Sequence, residues 1–315
     1  MSESPDESNI LRSPILRSGV DRASRVAVCI DLYCRGSGGA DKKVGSGTAF
    51  FHQRWGRHFL ITNWHVVTAR NPQSPGELLD GYPASPTSFQ LHLPVRDDPD
   101  RYVPSELFPL YASDQPSWFE TSLENRGTVA RIDLVALPFE FPESPTGPLV
   151  TCIEEFTPEE HQYLRVGRDV VIVGYPFGIR AENPFPIWKR GFVASEPSLL
   201  IGGLPKYYID SPGRPGMSGS PVFMITKGIG LPRETANSLR QLTKGAALAA
   251  IRNLDTEEIL NAPDVNIMQF AGVYSGSVGD QGLERLRVGV AWHAAMVDRL
   301  FSQPERGSNP FPPVF

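Results

Sequence analysis

The 315-residue chain has only three cysteines, Cys29, Cys34 and Cys152. An odd count cannot pair completely, and the spacing fits no metal-ligand pattern. Cys29 and Cys34 lie five residues apart on the extended run RVAVCIDLYC, so they are expected on opposite faces, as thiols rather than as a disulfide. So few cysteines point to a reducing compartment. The N-terminal MSESPDESNILRSPILRSG lacks the apolar segment of a secretory signal. No apolar run is long enough to span a bilayer. These absences together give the expectation of a cytoplasmic protein with no membrane partner. Excess positive charge is missing too. The 30 Lys and Arg stand against 35 Asp and Glu, a net −5, which excludes the basic footprint of a nucleic-acid binder.

Proline and glycine are abundant, with 30 and 29 residues. Both disfavour long helices and favour short strands joined by turns. The pattern along the chain agrees. RVAVCIDLYC, GSGTAFFHQ, RHFLITNWHVV, SFQLHLPV and TVARIDLVALPF read as strands of the first half. RDVVIVGYPF, IWKRGFVAS, KYYIDS, SPVFMI, QFAGVYSGS and LRVGVAW read as strands of the second. HAAMVDRLF carries apolar residues near helical spacing and predicts a short closing helix. The organisation expected is a flexible arm over 1–21, one β unit over 22–145 and a second over 146–303, then a tail over 304–315. A Pro-rich crossing at 138–150 links the two units. Two insertions, 68–130 and about 227–265, interrupt the pattern, the second polar and partly helical.

Three segments carry residues suited to one chemistry. LITNWHVV delivers His65 at the end of an apolar strand; a fixed imidazole of near-neutral pKa can serve as a base. RIDLVALPF embeds Asp133 among apolar neighbours, where an unpartnered carboxylate would be costly. GRPGMSGSPVF sets Ser218 between glycines, whose conformational freedom lets backbone N–H groups converge on one point. The N–H groups of Gly216 and Ser218 are the candidate oxyanion donors. The order His…Asp…Ser is that of the chymotrypsin class.

With these segments the chain resembles trypsin-like serine peptidases, most closely bacterial trypsin-like peptidases and the protease domain of the high-temperature-requirement proteases. GSGTAF and LITNWHVV look like the signature of their first barrel. RIDLVAL, VGRDVVIVGYPFG, SPGRPGMSGSPVF and LRVGVAWHAAMVDRL look like successive later segments. The resemblance runs from about residue 25 to 302. It implies an all-β, chymotrypsin-like double six-stranded antiparallel β-barrel with a short C-terminal helix.

It also implies a serine endopeptidase whose triad is His65, Asp133 and Ser218, with a polypeptide substrate and no cofactor or metal. GVYSGS is similar to the strand lining the substrate pocket, which puts Ser275, Gly276 and Ser277 beside the substrate backbone and Ser275 within reach of Asp133. Six residues before the serine, where relatives that cleave after Lys or Arg carry an acid, this chain has Pro212. A basic side-chain preference is therefore not expected. The sequence sets no oligomeric state. The competing reading is a catalytically silent binding or scaffold protein on the same fold; an esterase using the same triad is a third. The insertions lie near the expected rim of the site, where one of them would gate the substrate's path.

Overall fold

The structure, a computed structural model, describes residues 20–36, 39–95, 98–125, 127–141, 150–157, 164–178, 185–229, 264–276 and 288–313, with isolated positions at 238, 246 and 286. Nearly all of the first 21 residues, the unit boundary near 145 and most of the second insertion lie outside these ranges, as does Ser277.

The expected all-β antiparallel architecture is present. The first sheet is built on the strands Ala27–Arg35, Asp41–Arg54 and Arg57–Thr62. Trp55 and Gly56 join the last two with φ of 52° and 73°. Two left-handed residues make a tight hairpin turn whose twist suits the flanking strands. The full sheet has nine strands rather than the six expected. Part of the excess comes from the irregular stretch after Val95, where Asp98–Pro104 and Phe108–Pro109 both pair with Ser88–Val95. The rest comes from the tail, whose Glu305–Arg306 pairs with Phe119–Glu120.

The second sheet has six strands in the order Ile187–Phe192, Asp169–Gly174, Pro221–Ile229, Asp264–Gly276, Gly289–His293 and Lys206–Ile209. A bridge between Val193 and Ile209 joins its two outer strands and closes it into a barrel. Closure leaves no free edge to aggregate.

Alternation along Ala27–Arg35 explains how the halves meet. Val28, Ile30 and Leu32 point into the first unit, with Phe51, Leu60 and Leu91. Ala27 and Cys29 face the other way, into a shared core with Val171, Val173, Phe223, Phe270 and Trp292 of the second unit. The closing helix, Ala295–Ser302, adds Val297, Leu300 and Phe301 to that shared core. None of the three cysteines forms a disulfide, and Cys29 and Cys34 pack into different clusters. No helix among the described residues is long and apolar enough to cross a membrane.

The tail is tied down by one buried carboxylate. Glu120, 4% exposed, accepts from the indole N–H groups of Trp64 and Trp118, each at 3.1 Å. It also accepts from Arg131 Nε at 3.2 Å and from the backbone N–H and hydroxyl of Ser308 at 3.0 and 2.9 Å. Arg131 stacks over the Trp64 ring at 4.4 Å. Removing a buried acceptor strands all of its donors. Glu120→Leu should therefore destabilise the fold by about 3–5 kcal/mol in urea titration, and Glu120→Gln by less.

Candidate active site

His65 does not end a strand, as its segment predicted. The strand stops at Thr62, Asn63 is extended, and His65 sits in a short helix, Trp64–Thr68, in which every residue is buried. Ala69, with φ of 58°, ends that helix by donating its N–H to the His65 carbonyl at 2.8 Å. Asp133 is likewise not inside a continuous strand. It occupies a bend between Thr128–Arg131 and Val135–Phe139, with Ile132 and Leu134 buried on either side in the shared core. Val135 pairs with Thr62, which sets the bend beside the start of the His65 helix. Asn63 Nδ2 completes the link by donating to the Asp133 carbonyl at 2.7 Å.

The carboxylate of Asp133, 2% exposed, faces three donors. Its Oδ1 accepts the His65 backbone N–H at 2.9 Å. Its Oδ2 meets His65 Nδ1 at 2.7 Å and the Ser275 hydroxyl at 2.5 Å. An ionised carboxylate can only accept, so Nδ1 carries the proton. Nε2 then holds the lone pair, the tautomer a proton acceptor needs.

Ser218 lies on a loop whose backbone requires glycine at two places. Gly216 has φ of +90° and Gly219 +86°. A Cβ on Gly219 would run into the Thr48 carbonyl and the Thr62 hydroxyl, and one on Gly216 into the Tyr175 carbonyl. The first sheet grips this loop through Thr48. Its N–H donates to the Ser218 carbonyl at 2.9 Å, its hydroxyl to the Gly216 carbonyl at 2.8 Å, and Tyr175 N–H donates to that hydroxyl at 3.0 Å. The Pro215 carbonyl accepts the Phe177 N–H at 2.5 Å. Every peptide bond described is trans, so the N–H of Gly216 points the opposite way, away from Phe177. The N–H groups of Gly216 and Ser218 have no protein acceptor among the described residues.

His65, Gly216, Ser218, Ser275 and Gly276 line one cleft of about 650 Å³ between the two units. A Cβ added to Gly276 would sit 3.7 Å from Ser218 Oγ, which puts that strand end beside the serine. The first insertion reaches the same cleft. After a hairpin of Arg70–Asn71 with Ser74–Leu78, Leu79, Asp80, Gly81 and Tyr82 form part of its wall. Burial raises the Tyr82 hydroxyl pKa to about 12.

The sequence matches the trypsin-like peptidase domain over residues 45–228, more than half of the chain. The chain belongs to the trypsin-like peptidase family. No curated protein matches it. The match takes in the segments of His65, Asp133 and Ser218. Ser275 and Gly276 lie beyond it, brought back to the trypsin-like cleft by the pairing of Pro221–Ile229 with Asp264–Gly276. Thr48, Asn63 and Phe177 are positioning residues that sequence reasoning passed over. Thr48 stood inside the GSGTAF segment, but a threonine in a strand gives no sign of a contact 168 residues away.

Proposed function

We propose that the chain is a serine endopeptidase. The observation that carries this is the doubly held His65, fixed by Asp133 through both its backbone N–H and Nδ1, in a cleft shared with Ser218. Ser218 Oγ attacks the carbonyl carbon of a peptide bond as His65 Nε2 takes the hydroxyl proton. The negative charge that moves onto the carbonyl oxygen is met by the N–H groups of Gly216 and Ser218, which are already oriented and cost no rearrangement. As the tetrahedral intermediate collapses, the C–N bond breaks and His65 passes its proton to the leaving amine. Water then repeats the sequence on the ester of Ser218. Asp133 holds the imidazolium formed in each half, and Ser275 and Asn63 keep Asp133 in place.

A fluorophosphonate probe tests this reading. The wild-type chain is expected to form an adduct that peptide mass spectrometry locates on Ser218, and the Ser218→Ala chain to form none. Absence of label on the intact wild type would favour a binding protein on this fold.

Thr48 supplies a second test. Thr48→Val removes the hydroxyl that holds Gly216, so kcat should fall about tenfold or more with KM little changed, because the loss falls on the oxyanion site. Thr48→Ser keeps the hydroxyl and should restore most of the rate. Equal losses in both variants would mark Thr48 as packing alone.

A further inference from the structure

The residue whose carbonyl Ser218 attacks must place its side chain beside the loop 212–216 and the strand end Ser275–Gly276, because the oxyanion donors and the serine lie there. Behind Gly213 of this wall stands a tyrosine. Tyr274, 1% exposed, directs its hydroxyl at Gly213 and Gly289. A Cβ on Gly213 would lie 3.0 Å from that oxygen, and one on Gly289 would run into the phenol. The two glycines thus make room for the ring. The hydroxyl has no hydrogen-bond partner among the described residues, and a buried polar group left unpaired is costly. Burial raises its pKa, so it stays protonated and can donate.

Two cations stand at the same wall. Lys189 Nζ donates to the carbonyl of Pro212. Arg214, exposed, lines the cleft two residues further on. Neither has an acidic partner among the described residues. Burial, and then the charge of Arg214, lower the Lys189 pKa, as expected of a cation short of negative charge. The only acid among the described residues lining the cleft is Asp80, on the first unit's side.

We infer that this subsite selects an acidic residue, Asp or Glu, on the acyl side of the scissile bond, with Tyr274, Lys189 and Arg214 as its recognition groups. The inference rests on the endopeptidase reading. A carboxylate would satisfy the orphaned hydroxyl and relieve the repulsion between the two cations, while a Lys or Arg side chain would meet like charge. A large apolar side chain would leave the tyrosine hydroxyl unpaired.

The test is a set of fluorogenic peptides that differ only at that residue, carrying Glu, Ala, Leu or Lys, with fluorophosphonate labelling run in parallel. The wild type should give the highest kcat/KM with Glu. In Lys189→Met the ratio of Glu to Ala should fall about tenfold or more, as expected for the loss of a charged contact. Tyr274→Phe should lower the same ratio while its melting temperature holds or rises, because an unpaired hydroxyl is lost; a purely structural tyrosine would not move the ratio. Labelling at Ser218 with Leu, Ala or Lys preferred over Glu would overturn the acidic subsite and leave the endopeptidase reading standing. Failure of every probe to label Ser218 would overturn both.

Discussion

Ser218→Ala should lower kcat on peptide substrates by roughly 10⁶-fold, with the fold intact. In the proposed mechanism the serine oxygen forms the covalent bond to the acyl group. Ser218 is only half-buried, and its side chain makes no hydrogen bond among the described residues. The melting temperature should therefore stay within a few degrees of the wild type. The residual rate would come from the Gly216 and Ser218 N–H groups and from substrate binding. Adding His65→Ala to Ser218→Ala should cost almost nothing more, because the imidazole acts only through the serine. Progress curves of the two single variants and the double variant check this. Additive losses would mean that the two side chains work independently.

Asp133→Asn should lower kcat by about 10⁴-fold. The reason lies in hydrogen-bond polarity. The Asp133 carboxylate accepts from Nδ1, from the His65 backbone and from the Ser275 hydroxyl at once. An asparagine keeps the shape but offers an N–H₂ donor at one of its two ends. If that end faces Nδ1, the ring proton moves to Nε2 and the base is lost. The geometry is kept, so KM should change little, and the defect should appear in kcat. A loss of less than tenfold would separate His65 from any need for Asp133.

Much of this was legible in the chain. The run RVAVCIDLYC reads as a strand, and the structure uses its two faces for different cores, Val28, Ile30 and Leu32 in one and Ala27 and Cys29 in the other. The closing helix followed from the spacing of Met296, Val297, Leu300 and Phe301. His65, Ser218, Ser275 and Gly276 do line one cleft, and Asp133 bonds to His65 behind it.

What alternation could not reveal is where a strand breaks. ITNWHVV and most of ARIDLVA are buried whether extended or helical, polar Asn63, His65 and Asp133 included, and periodicity cannot separate short buried runs. The helix at His65 and the bend at Asp133 are set by contacts between the two segments, such as Asn63 with the Asp133 carbonyl. The same holds for the tail. SQPERGSNP has the composition of a loose end, yet the buried carboxylate of Glu120, 188 residues away, captures Ser308. The Tyr274 hydroxyl was equally silent, since GVYSGS reads as a strand whatever the tyrosine faces.

The account depends on Ser218 becoming covalently acylated through His65. The most direct measurement mixes the wild-type chain rapidly with excess 4-nitrophenyl acetate, quenches in acid and maps the acetyl group by peptide mass spectrometry. The account predicts a burst of nitrophenolate close to one equivalent per chain, with the acetyl group on Ser218 and no burst in Ser218→Ala or His65→Ala. Acetylation spread over lysines and tyrosines, equal in wild type and variants and without a burst, would contradict it.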